Sequence, residues 1–127
     1  MRQALPDRFI ALLVEPDQEQ RALVATLLEE SDLQVIECDS AEAALAVVDM
    51  KGDRMAMVVT DVELAGWLDG IELAQNLDAH HPELPVIMMS AEPSERVDEW
   101  PDNVVRLGRP WRPLDVLIVA ERARQAA

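Results

Sequence analysis

Two acids, a hydroxyl and a cation stand at comparable places in this sequence: Glu15, Asp61, Ser90 and Arg109 each come at or just after the end of a short apolar run. A carboxylate so placed is able to act as a nucleophile toward a phosphoryl group, giving an acyl phosphate. That chemistry calls for a cation to offset the phosphoryl oxygens, usually magnesium held by carboxylates. It also gains from a hydroxyl donor and a fixed basic side chain on the same oxygens. All three roles have a candidate. No glycine-rich phosphate loop is present, which argues against nucleotide binding. Ser90 lacks the flanking glycines of a hydrolase nucleophile and has no histidine within local motif distance, so acyl transfer is disfavoured.

The elements that must position these residues are five apolar runs alternating with amphipathic segments. The runs are FIALLV at 9–14, LQVIEC at 33–38, MAMVVT at 55–60, VIMM at 86–89 and NVVRL at 103–107. The first contains no polar residue, as expected for a strand buried on both faces. Helices are predicted over about 18–30, from the start of the forties to about 50, over 71–80 and over 113–124. Asp17 with Gln20, and Asp39 with Glu42, have capping-box spacing. Leu23, Leu27 and Leu28 form the expected apolar face of the first helix. Leu114, Val116, Leu117 and Ala120 form that of the last. Residues 91–102 contain Pro93 and Pro101 and hold one to two helical turns at most. Strands alternating with helices imply a parallel sheet covered on both faces. Sites in such sheets lie beyond the carboxyl ends of the strands, where the four residues fall.

Composition narrows the function classes. The 127 residues fit one domain, read as 1–127 with a core of about 9–124. Half are hydrophobic, enough for a real core. The formal net charge of −14 sets the domain against nucleic acid and anionic membranes. Cys38 is the single cysteine, so no intrachain disulfide forms and a Cys-based zinc site is excluded. No apolar run approaches the ~20 residues of a membrane helix, and the run at 9–14 is not expected to be a signal peptide, because Glu15 ends it and no small-residue cleavage site follows. A cytoplasmic domain is expected.

The stretch VVTDVELAGWLDGIELA at 58–74 puts an Asp at the end of a buried strand, ahead of a Leu-Asp-Gly-Ile-Glu-Leu helix start. With LLVEPD at 12–17, PVIMMSA at 85–91 and RPW at 109–111, it resembles a CheY-like receiver domain of two-component response regulators. The resemblance runs from about 9 to 124. It implies a flavodoxin-like α/β fold with five parallel strands in order 2-1-3-4-5 and five helices. It implies Asp61 as phosphoacceptor from a histidine kinase or phosphotransfer protein, with a further protein downstream. The domain would be a signalling domain, not an enzyme beyond promoting its own phosphorylation and dephosphorylation. Magnesium would be held by Glu15, Asp61 and the backbone carbonyl of Glu63. Ser90 would bond a phosphoryl oxygen, and Arg109 would take the place of the family lysine before a cis Pro110.

Several positions depart from the pattern. Pro16 stands where a second acid is usual, so magnesium binding is expected to be weak. Arg109 replaces lysine, and Arg106 stands where an aromatic switch residue is common; a charged side chain is not expected to enter an apolar slot. The chain between Ser90 and Arg109 is short, so the fourth helix is expected to be vestigial. These departures support an alternative, a pseudo-receiver acting as a phosphorylation-independent interaction module. A magnesium phosphatase on a similar sheet is disfavoured, lacking a second catalytic acid and a substrate cap. More ordinary roles also exist: Asp61 as a turn cap, Asp17 as a helix cap, and Cys38 as a packed thiol.

Overall fold

The computed structural model describes residues 8–90 and 96–126. Along them run β1 (Ile10–Val14), α1 (Gln18–Glu29), β2 (Gln34–Cys38), α2 (Ala41–Lys51), β3 (Met55–Asp61), α3 (Gly70–His80), β4 (Val86–Ser90), β5 (Val104–Gly108) and α4 (Pro113–Ala126). The strands form one parallel sheet in the order β2-β1-β3-β4-β5. This is the expected flavodoxin-like arrangement.

Strand periodicity divides the core in two. Leu12, Val58 and Met88 point into one layer, with Ala44 and Val48 of α2 and Ile71, Leu73 and Leu77 of α3. Leu13, Val59 and Met89 point into the other, with Val24 and Leu28 of α1 and Val116 and Ala120 of α4. β1, β3 and β4 are buried throughout, because neighbours flank them in the sheet and helices cover both faces. β2 and β5 lie at the edges, where polar and exposed positions are tolerated. Met55, Met57, Met88 and Met89 are fully enclosed, as packing residues rather than ligands.

Local details correct several expectations. In α1, Asp17 caps by accepting from the Glu19 N–H at 3.0 Å, and the Asp17 N–H is taken by Glu15 rather than Gln20. Leu23 is 47% exposed, and Val24 fills the core position instead. α2 is capped by Ser40, which accepts from the Ala43 N–H, because Glu42 is committed elsewhere. In α4, Leu114 lies on the open first turn at 59% exposure, while Val116, Ala120 and Ala123 make the buried stripe. Among the described residues, the only helical structure between β4 and β5 is a 3₁₀ turn, Val97–Glu99. The short fourth helix is thus that turn as far as the description reaches; residues 91–95 lie outside it. The described residues therefore carry four α-helices where the resemblance implied five.

Candidate functional site

β3 delivers Asp61 to the carboxyl edge of the sheet, between the ends of β1 and β4. Its backbone is held there from three sides. The Thr60 hydroxyl donates to the Asp61 carbonyl at 3.0 Å, and the Val62 N–H continues the ladder to Met89 at 3.3 Å. Gly70, the first residue of α3, donates its N–H to the Val62 carbonyl at 2.8 Å and packs directly on the end of β3. A Cβ on Gly70 would stand 1.9 Å from the Asp61 carbonyl oxygen, so only glycine allows this approach.

β1 delivers Glu15 to the same edge. Its residue is 2% exposed, and its N–H is taken by the Cys38 carbonyl at 3.0 Å. Arg109 follows β5, with its N–H on the Ser90 carbonyl at 3.0 Å and a cis peptide to Pro110, as the resemblance implied. Its guanidinium bridges the two acids. Nη1 donates to Asp61 Oδ2 at 2.9 Å, and Nη2 donates to Glu15 Oε1 at 2.9 Å. The remaining oxygens are also engaged: Glu15 Oε2 accepts from the Asp17 N–H at 3.1 Å and Asp61 Oδ1 from the Glu63 N–H at 3.3 Å. Burial pushes the Glu15 carboxyl above its ordinary value of 4.5. The Asp17 N–H opposes this, the Asp61 charge adds to it, and the Arg109 charge opposes it.

A cleft of about 590 Å³ opens over this pair, lined by Glu15, Asp17, Gln20, Asp61, Arg109 and Trp111 among others. Three of the four side chains expected at the site, Glu15, Asp61 and Arg109, therefore meet in one place. Ser90 does not line that cleft among the described residues. Buried at the end of β4, its hydroxyl accepts from Arg106 Nε at 3.0 Å, and its carbonyl from Arg106 Nη2 at 3.3 Å. Arg106 thus turns its charge to the hydroxyl rather than into an apolar slot. Asp17 caps α1 through Oδ1 and also lines the cleft.

Octahedral magnesium needs carboxylate oxygens free to coordinate it. Here all four oxygens of Glu15 and Asp61 accept a protein donor, two of them from a cation. Among the described residues no group of three or more His, Cys, Asp or Glu side chains is placed to hold a metal. The resting arrangement does not fit the ion.

Glu42, expected as a capping partner of Asp39, instead helps organise the loop after Asp61, together with the capping residues of α3. The Glu42 carboxylate accepts from the Trp67 and Leu68 N–H groups, each at 3.1 Å, and packs under Gly66, whose φ of 99° suits glycine. Asp69 and Glu72 form a capping box at α3, and Arg96 adds a bond to Asp69. The D-G-I-E string carried the capping-box signal; the local spacing of Glu42 pointed to Asp39, whereas its partners lie about 25 residues away. Cys38 is a packed thiol, raised above its ordinary value by burial first and by Asp39 second, against Arg21.

The comparisons agree on one family. The pattern of the response regulator receiver domain matches residues 11–99. The response regulator protein FleR of Pseudomonas aeruginosa is 35% identical over 80 residues, 63% of this chain and 16% of that protein. The nitrogen assimilation regulatory protein NtrX of Azorhizobium caulinodans is 34% identical, over 62% of this chain and 17% of its own length. The chain therefore spans about a sixth of these regulators. The receiver domain of NtrX from Brucella abortus superposes with a TM-score of 0.80 at 27% identity, covering 92% of this chain and 99% of that one. A response regulator receiver protein from Sinorhizobium medicae, 17% identical, shares the fold with a TM-score of 0.84 over 94% of this chain and 97% of that one. With the receiver pattern running through β1, β3 and β4, the chain belongs to the response regulator receiver domains, a class of signalling domain.

Proposed function

We propose that this domain accepts a phosphoryl group on Asp61 from the phosphohistidine of a histidine kinase or phosphotransfer protein and signals through the resulting rearrangement. The observation that carries the reading is Asp61 itself, a carboxylate at the end of a buried strand, opening on a cleft beside a basic side chain. In the step, an Asp61 oxygen bonds to phosphorus as the phosphorus–nitrogen bond breaks, and its electron pair returns to the departing imidazole. Before that, Asp61 Oδ2 gives up Arg109, whose guanidinium is then in reach of the incoming phosphoryl oxygens. The Glu63 N–H steadies the carboxylate through Oδ1. Ser90 has first to leave Arg106 before its hydroxyl turns to the phosphoryl group.

The ion pairs also favour a second reading, a pseudo-receiver that binds a partner protein without phosphate. Arg109 already satisfies both acids, and Arg106 already occupies Ser90. One experiment separates the two. The protein is incubated with acetyl phosphate or a kinase, with and without magnesium, then trapped with borohydride and mapped by mass spectrometry. A label on Asp61, absent in Asp61→Asn, supports phosphotransfer. No label under any condition overturns it in favour of the interaction module.

No helix among the described residues is long and apolar enough to cross a membrane. Residence in the cytoplasm, beside a soluble kinase domain, belongs to the same proposal.

A further inference from the structure

From the bridging geometry we infer that Arg109 is the resident cation of the acceptor cleft and an intramolecular competitor for magnesium. The two carboxylates lie close enough for one planar guanidinium to span both, each contact being 2.9 Å. Glu15 and Asp61 side chains are 3% and 12% exposed, whereas Arg109 is 31% exposed. The acids are thus enclosed and the cation closes their open side. A divalent ion approaching from the cleft meets a guanidinium fork, a combined formal charge of −1 rather than −2, and no third acid at Pro16. Electrostatic attraction for the metal falls with both changes. A lysine at this place would offer a single ammonium on a flexible stem, without the fork that engages two carboxylates at once. Arginine therefore keeps the resting site partly neutralised from within and makes metal entry depend on Arg109 swinging out.

The inference rests on the reading of this cleft as the acceptor site, but its test uses no phosphoryl donor. Magnesium chloride alone is titrated into native protein, Arg109→Gln and Arg109→Gln/Asp61→Asn, followed by calorimetry and tryptophan fluorescence, with circular dichroism checking the fold. Arg109→Gln should bind magnesium at least about tenfold more tightly than native. Adding Asp61→Asn should abolish the gain. Native protein binding as tightly as Arg109→Gln, or a gain that survives Asp61→Asn, overturns the inference. A second readout on the native chain does not depend on the variants folding. The Arg109 side-chain nitrogen resonances should move in step with magnesium occupancy, and saturation with those resonances unmoved also overturns it. Loss of Asp61 labelling in the donor experiment would leave these titrations interpretable, so the two failures are distinct.

Discussion

Arg106 decides what Ser90 does at rest. A hydroxyl that is 3% exposed has little water to turn to, and the Nε–H at 3.0 Å supplies the bond it needs. The guanidinium also reaches the Ser90 carbonyl, so the end of β4 and the middle of β5 are tied through one side chain. Replacing it by Arg106→Met keeps length and removes the donors. The expected result is a loss of about 1–2 kcal/mol in urea unfolding, the usual range for a buried hydroxyl deprived of its partner. If Asp61 is labelled as proposed, labelling by small donors should also be faster, because Ser90 no longer has to be released. Stability and rate both unchanged would show that this pair is idle.

At the scale of elements, the site depends on how α3 meets β3. Gly70 sits directly against the Asp61 carbonyl, with no room for a side chain between them. The capping box of Asp69 and Glu72, the Glu42 contacts and the Ser40–Ala65 bridge all hold the intervening loop to that approach. Gly70→Ala is therefore expected to cost about 3 kcal/mol or more, because the obstructing atom is backbone and has no rotamer to retreat into. Chemical unfolding checks the cost, and a shift in the Asp61 and Val62 amide resonances checks that the damage is local to the strand end. A change under about 0.5 kcal/mol, the range of indifferent surface positions, would show that α3 adjusts freely.

At the scale of the whole molecule, one sheet serves two cores. Leu12 lies in the layer under α2 and α3, Leu28 in the layer under α1 and α4, and the same strands border both. Neither layer persists without the sheet that the other supports. Leu12→Ala and Leu28→Ala should each lower stability by about 2–5 kcal/mol, the range for a buried leucine truncated in a packed core. Unfolding should remain a single transition, with helical circular dichroism and tryptophan fluorescence falling together. Separate midpoints for the two signals in either variant would mean that the layers unfold independently.

Much of this fold was legible from the alternation of apolar runs with amphipathic segments, because burial on two faces leaves FIALLV no polar residue and MAMVVT only its terminal Thr60. The strand ends followed from the same logic, and with them the positions of Glu15, Asp61, Ser90 and Arg109. The receiver resemblance at 58–74 was legible because it is carried by contiguous residues. What escaped was everything set by contacts distant in sequence. Glu42 had local capping spacing to Asp39, yet its carboxylate serves backbone N–H groups about 25 residues on. Leu23 and Leu114 had helical periodicity, yet exposure depends on which neighbour covers that turn, and none among the described residues buries either one. Above all, the side-chain partners of the charges were not in the pattern. A sequence states that Arg106 and Arg109 are cations; only the sheet register, which sets Met88 opposite Arg106 and Ser90 opposite Gly108, decides that one reaches a hydroxyl and the other spans two carboxylates. Hydrogen bonds act over about 3 Å, and that distance between residues 48 and 94 apart in sequence exists only once the chain is folded.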